Sequence, residues 1–133
     1  MQNMCVMIKP ASAICNMRCK YCFYADETSK RAVASYGIMS FNTLYSVLEK
    51  VLSKATKSCV IVFQGGEPTL AGLPFFRKAI NICKEKNVNH CNISFAIQTN
   101  GLLIDGEWCE FFAENYFLVG ISLDGPKELH DAN

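Results

Sequence analysis

The sequence predicts an α/β fold in which parallel strands alternate with helices. Short apolar segments recur along the chain, and segments with the periodicity of amphipathic helices separate them. One apolar segment, residues 59–63 (CVIVF), is unbroken and rich in β-branched residues, which indicates a strand covered on both faces, as in a parallel sheet. The order strand, helix, strand, helix, strand, helix, strand then requires crossover connections, which are almost always right-handed.

The individual elements follow from the apolar spacing and from the residues at their ends. Strands are predicted at residues 5–8, 59–63, 93–97 and 117–121. Ser40 can cap a helix over about 41–54, Pro74 suits the first turn of a second helix, and Asp105 can cap a third. The buried faces of these helices are predicted to carry Leu44, Val47, Leu48, Val51 and Leu52, then Phe76, Ala79, Ile80 and Cys83, then Trp108, Phe111 and Phe112.

Composition limits the class of protein. The 133 residues allow one domain with a real core, and because half are hydrophobic and 19% are charged, the chain is globular rather than disordered. A net charge of +1 without a basic block argues against a nucleic-acid partner. No apolar run suits a membrane span, and the first residues do not resemble a secretion signal. Because the cysteines outside residues 15–22 lie singly in apolar segments, we expect core thiols and a cytoplasmic location.

Three cysteines lie close together directly after the first predicted strand. Cys15, Cys19 and Cys22 have the spacing C-x3-C-x2-C, which suits a multi-iron centre held by thiolates. A structural zinc site would need a fourth ligand, and no matching C-x2-C or H-x3-5-H pair follows. In a [4Fe–4S] cluster, three thiolates leave one iron open to a small molecule. The alternative is a set of unrelated buried thiols.

These motifs resemble those of the radical S-adenosylmethionine (SAM) enzymes, and in particular of the anaerobic sulfatase-maturating enzymes. The resemblance covers essentially the whole chain and implies a partial (β/α)6 TIM-like barrel, of which residues 1–133 would form the N-terminal portion. The segments that carry it, besides the cysteines, are 8–12 (IKPAS), 22–24 (CFY), 35–39 (SYGIM), 63–72 (FQGGEPTLAG), 98–101 (QTNG) and 122–126 (SLDGP).

The resemblance also implies an activity. The expected reaction oxidises a cysteine or serine of a sulfatase polypeptide to Cα-formylglycine by means of a 5′-deoxyadenosyl radical. The implied cofactors are SAM and a [4Fe–4S] cluster bound by Cys15, Cys19 and Cys22. The amine and carboxylate of SAM would chelate the open iron. An electron donor such as a flavodoxin or ferredoxin is the second expected partner.

Residues 65–68 (GGEP) form the predicted SAM-amine site. Gly65 and Gly66 let the backbone approach a ligand closely, and the carboxylate of Glu67 and the free carbonyls are acceptors for an ammonium group. Without the cysteine motif, the same four residues would be as well explained by an ordinary turn.

The other site residues rest on their places in the resemblance. The backbone of Tyr21 is expected at the adenine, or its ring covers the cluster. Ser122 is expected at the ribose or the methionine carboxylate, with a loop cap as the alternative. Gln64 is the candidate contact to the peptide substrate, whereas Gln98 and its neighbours either hold substrate or satisfy backbone groups at the strand ends.

Two other functions stay open: another radical SAM peptide maturase, for example one that forms thioethers, and a non-enzymatic metal-binding module. The family's catalytic base and its auxiliary clusters would lie after Asn133. We therefore expect the chain to be part of a longer protein, inactive without the remainder, with an unpaired apolar edge on the fourth strand.

Overall fold

The computed structural model describes residues 2–12 and 37–122, and within these ranges the chain forms a parallel sheet with helices between successive strands. The strands follow one another across the sheet in the order β1-β2-β3-β4. The strands are β1 (Asn3–Ile8), β2 (Ser58–Phe63), β3 (Asn92–Thr99) and β4 (Leu118–Ile121), and the helices are α1 (Phe41–Lys54), α2 (Leu73–Lys86) and α3 (Gly106–Glu114), with a 3₁₀ turn at Pro68–Ala71. The predicted α/β alternation is confirmed.

The two predicted side-chain caps are present. The hydroxyl of Ser40 accepts a hydrogen bond from the Thr43 amide at 3.1 Å, and the Asp105 carboxylate accepts one from the Trp108 amide at 3.0 Å. Each bond satisfies an amide that has no partner within the first turn of its helix. The sequence therefore located the starts of α1 and α3 correctly.

The main core lies between one face of the sheet and the helices. Leu44 and Leu48 of α1 are fully buried, and on β2 Phe63 packs its ring edge-on against Phe76 of α2, with ring centroids 4.9 Å apart. Aromatic pairs favour this geometry, which adds to the stabilisation from apolar burial. These contacts attach α1 and α2 firmly to the strands.

The second face of the sheet is largely uncovered in the part of the chain that the structure describes. Val60 is 37% exposed between fully buried Cys59 and Ile61, and Leu118 on β4 is 75% exposed. The prediction that β2 is covered on both sides is thus met on one side only. The strand is apolar on both faces because the second face belongs to the inside of a partial barrel, where facing side chains fill the space.

β3 is longer than predicted. It continues past Ile97 to Thr99, because Gln98 and Thr99 pair with Gly120 and Ile121 of β4. The sequence placed these polar residues after the strand, since only the apolar part of a strand gives a periodic signal. No helix among the described residues is long and apolar enough to span a membrane.

Candidate functional site

The carboxyl ends of the four strands lie in one row. Ile8 pairs with Phe63, Phe63 with Ile97, and Ile97 with Val119, so the segments that follow these residues meet at the same edge of the sheet. Active sites of α/β barrels lie at this edge. The register therefore brings together the predicted site residues Gln64, Gly65, Gly66, Glu67 and Ser122.

The glycine turn after β2 packs tightly against the loop after β1. The Gly66 amide donates to the carbonyl of Ser12 at 2.8 Å. Gly65 has φ +102°, and a Cβ there would lie 2.7 Å from the same carbonyl oxygen. Only glycine avoids both the unfavourable backbone conformation and the clash. This contact connects the predicted SAM-amine turn to the chain segment that leads to the cysteine motif.

The side chain of Glu67 is 1% exposed and binds protein groups. Its Oε1 accepts from the Asn100 amide at 2.7 Å, and its Oε2 accepts from the Thr99 hydroxyl at 2.5 Å, from the Thr69 amide at 3.2 Å and from the Thr69 hydroxyl. A buried carboxylate requires such donors, because desolvation without them costs several kcal/mol. These donors engage both carboxylate oxygens, so the side chain of Glu67 is held by the protein itself.

Thr69 is therefore a structural residue of the site that the sequence did not identify, and Thr99, one of the strand-end candidates next to Gln98, binds the Glu67 carboxylate and accepts from the Gly101 amide at 3.1 Å. The available signal was a glutamate in a turn between two glycines and a proline, where a carboxylate that becomes buried needs internal donors. The partners themselves were not predictable from spacing, because Thr99 lies 32 residues away in the chain. The hydrogen bonds join the turn after β2 to the end of β3.

Gln98 and Ser122 contact each other across the ends of β3 and β4. The Gln98 side-chain Nε2 donates to the Ser122 hydroxyl oxygen at 2.9 Å, and the Ser122 amide donates to the carbonyl of Thr99 at 3.0 Å. The sequence offered two roles for Gln98, binding substrate or satisfying backbone groups at the strand ends. The structure shows a third one, a side-chain hydrogen bond to Ser122. A role of Ser122 toward the ribose or carboxylate of SAM stays a prediction.

A groove of about 280 Å³ opens on the uncovered face beside these residues. Gln64 and Gln98 contribute its polar groups, and Val62, Ala96, Leu118 and Gly120 are among the others that line it. An apolar groove with a few polar groups is typical of a small-molecule or peptide site. Gln64 is thus next to the other candidate residues, and its contact to substrate stays a prediction.

The cysteine motif and Tyr21 lie outside the described residues, so the assignments of Cys15, Cys19, Cys22 and Tyr21 stay predictions. Within residues 2–12 and 37–122, no three or more histidine, cysteine or acidic side chains are grouped as metal ligands would be.

The remaining cysteines divide into core and surface residues. Burial raises the pKa of the Cys59 thiol to about 11 and that of Cys83 to about 12, so both are protonated at neutral pH. Cys91 is also buried. The expected core role is wrong for Cys5 and Cys109, which are exposed because each lies on the side of its element that faces away from the core.

Comparison with curated proteins finds anaerobic sulfatase-maturating enzymes that match nearly the whole chain. The chain is 48% identical over 131 residues to a cysteine-type anaerobic sulfatase-maturating enzyme of Clostridium novyi, covering 98% of this chain and 35% of the relative. It is 49% identical over 133 residues to a cysteine-type enzyme of Clostridium perfringens, covering all of this chain and 36% of the relative. A serine-type enzyme of Bacteroides thetaiotaomicron is 39% identical over 127 residues, 95% of this chain and 30% of that protein.

Solved structures give the same result. The structure of native anSMEcpe with bound AdoMet and Kp18Cys peptide superposes with a TM-score of 0.91 at 48% identity, over 99% of this chain and 35% of that one. The chain thus spans about a third of the length of these sulfatase-maturating relatives. The family described as the Radical SAM superfamily matches residues 10–133. Because this match includes all but the first nine residues, the chain belongs to the radical SAM superfamily.

Proposed function

We propose that the full-length protein is an anaerobic sulfatase-maturating enzyme that oxidises a residue of a sulfatase polypeptide to Cα-formylglycine. The observation that supports this most is the likeness, over 99% of the chain, to anSMEcpe with bound AdoMet and a peptide. AdoMet is SAM, and the peptide indicates a polypeptide substrate. An electron donor such as a flavodoxin or ferredoxin completes the proposed set of partners.

The described part of the site fits SAM. The backbone of the glycine turn at 65–66 lies at the carboxyl edge of the sheet, beside the loop after β1, and Ser122 is exposed at the same edge. We propose that Cys15, Cys19 and Cys22 hold the [4Fe–4S] cluster, that the turn backbone binds the SAM amine, and that Tyr21 meets the adenine. When bound, the cluster and SAM supply a carbon-centred radical for hydrogen removal at the target Cβ. The chain's own residues hold SAM in place and position the substrate, the latter through Gln64.

Cysteine is the proposed target residue in the sulfatase. The cysteine-type relatives of Clostridium novyi and Clostridium perfringens are 47–49% identical to this chain, whereas the serine-type relatives are 35–39% identical. The difference holds over nearly the same residues of this chain, so it does not come from unequal coverage. The proposal therefore includes a preference of the enzyme for a cysteine over a serine at the target position of the sulfatase.

The test uses the full-length protein, reconstituted with iron and sulfide without oxygen and supplied with SAM and a reductant. Two sulfatase peptides that differ only in cysteine or serine at the target position are the substrates, and mass spectrometry follows them. We expect the mass change of aldehyde formation, faster with the cysteine peptide. SAM cleavage with formation of a thioether, or with no change in either peptide, would overturn the proposed reaction.

A further inference from the structure

The Gln98 side chain lies over its strand partner Gly120 and donates a hydrogen bond to the hydroxyl oxygen of Ser122. We propose that Gln98 is a positioning residue that directs the hydroxyl of Ser122 to donate a hydrogen bond to an oxygen of SAM, and that residue 120 is glycine because the Gln98 amide lies across it. The inference rests on the proposed function, since SAM is the ligand that the proposed function places at this edge of the sheet.

The position of the Gln98 amide follows from the register of the two strands. Gln98 and Gly120 are paired residues of β3 and β4, and the side chain of Gln98 crosses over Gly120 toward Ser122, two residues further along the chain. A Cβ built on Gly120 would overlap with Oε1 of Gln98 and would lie 3.2 Å from its Cδ. Any side chain at 120 would therefore displace the amide from this position.

Backbone conformation does not explain this glycine. Gly37, Gly65, Gly72 and Gly101 are the described glycines with positive φ, and Gly120 is not among them. An alanine at 120 would be compatible with the backbone of a strand, where it would be no worse a strand former than glycine. The space that the Gln98 side chain occupies is thus the feature that requires the missing Cβ.

The orientation of the amide fixes the direction of hydrogen bonding at Ser122. A serine hydroxyl has one hydrogen to donate and two lone pairs to accept. Gln98 Nε2 donates to one lone pair at 2.9 Å, and its Oε1 occupies the place that a Cβ on Gly120 would take, so the carbonyl oxygen faces the glycine and the NH2 group faces Ser122.

The hydrogen of the Ser122 hydroxyl is then available to a ligand. Within residues 2–12 and 37–122, no acceptor for this hydrogen is found, and Ser122 is exposed. The site therefore presents a donor rather than an acceptor at this position. SAM carries two kinds of acceptor oxygen, the methionine carboxylate and the ribose hydroxyls, and either can take this hydrogen bond.

The experiment measures the dissociation constant of SAM by anaerobic calorimetry on the reconstituted full-length protein. We expect Gln98→Ala and Ser122→Ala each to weaken SAM binding about five-fold, the value of one net hydrogen bond. Because the two residues act through one hydroxyl, the double variant should bind SAM no more weakly than Ser122→Ala alone. A general structural role of Gln98 would instead weaken binding by the same factor in both backgrounds.

Gly120→Ala gives an independent test. It should weaken SAM binding as much as Gln98→Ala does, and it should have no further effect when combined with Gln98→Ala, since no amide is then left to displace. The matched control is Gly106→Ala, because a Cβ at Gly106 meets nothing within 4 Å, and it should bind SAM as the unaltered protein does. Melting temperatures of all variants show whether each one folds.

Two SAM analogues identify the acceptor. If the effect of Gln98→Ala disappears with an analogue that lacks the methionine carboxylate, the hydroxyl donates to the carboxylate; if it disappears with an analogue that lacks the ribose hydroxyls, the ribose is the acceptor. Either result supports the inference. Unchanged SAM affinity in a folded Gln98→Ala variant overturns it alone, whereas absence of SAM binding by the unaltered protein overturns the proposed function and the inference together.

Discussion

Replacement of Glu67 by glutamine tests whether the buried carboxylate holds the site together. The variant keeps the size of the side chain but exchanges one acceptor oxygen for an NH2 group. The preferred amide orientation keeps an oxygen at the position of Oε2, where three donors converge from Thr69 and Thr99. The NH2 group then faces the Asn100 amide, which is 2.7 Å from Oε1 in the unaltered protein, so two donors oppose each other.

The cost follows from these contacts. Hydrogen bonds to a charged acceptor contribute roughly 1.5–3 kcal/mol each, against about 1 kcal/mol for neutral pairs, and an unsatisfied buried donor costs about 1–3 kcal/mol. Loss of one bond and weakening of the others should destabilise the site by about 2–4 kcal/mol. Because the carboxylate joins the turn after β2 to the end of β3, the loss should be largest in these two segments.

Hydrogen exchange of the backbone amides measures this loss locally. We expect the Asn100 and Thr69 amides to exchange faster by a factor of about thirty or more, which is the equivalent of at least 2 kcal/mol. The matched control is Glu107→Gln, since Glu107 is exposed and, among the described residues, pairs with Arg77 at 3.2 Å in a surface ion pair. Equal exchange in the two glutamine variants would refute the reasoning.

Three further predictions concern other parts of the chain. Gly65→Ala should lower the free energy of unfolding by about 1–3 kcal/mol and weaken SAM binding, because the new Cβ would lie 2.7 Å from the Ser12 carbonyl oxygen. In the control Gly37→Ala, φ is also positive but the new Cβ would meet no atom within 4 Å, so denaturant titration should show a smaller loss. A thiol reagent at neutral pH should modify the exposed Cys109 and leave the buried Cys83 unmodified, since a thiol with a pKa of about 12 is protonated. Because the pKa of Cys83 is raised from 9.0, its contribution to the free energy of unfolding should be complete below pH 9 and fall as the pH rises toward 12. In the reconstituted full-length protein, Cys19→Ala should lower the broad visible absorption and the bound iron by the share of one [4Fe–4S] cluster, leaving that of the auxiliary clusters; an unchanged iron content, or stoichiometric zinc in place of that share, would contradict the cluster assignment.

The elements of the fold were predictable because each is encoded locally. Ser40 and Asp105 cap helices through contacts three residues away, and residues 59–63 form an unbroken β-branched run that favours a strand. The parallel order of strands follows from the alternation itself. Such features require no knowledge of which segments meet in space.

The supporting contacts of the site were not predictable, because they depend on the register between strands. Whether Gln98 reaches Ser122 is decided by its pairing with Gly120, and a shift of one residue would place its side chain on the other face of the sheet. The sequence likewise marked Glu67 as a polar residue at a turn, where exposure is the usual state, and its buried carboxylate depends on donors that include Thr99, 32 residues later.

The end of β3 supports the candidate site on two sides. The Thr99 hydroxyl and the Asn100 amide bind the carboxylate of Glu67, which follows the glycine turn, whereas the Thr99 carbonyl and the Gln98 amide bind Ser122. The turn and Ser122 therefore keep their separation through one strand, although neither contacts the other through a described hydrogen bond. Since SAM has several rotatable bonds between its amine and its ribose, a strand end that fixes the spacing of both protein groups would select one conformation of SAM with little reorganisation of the protein.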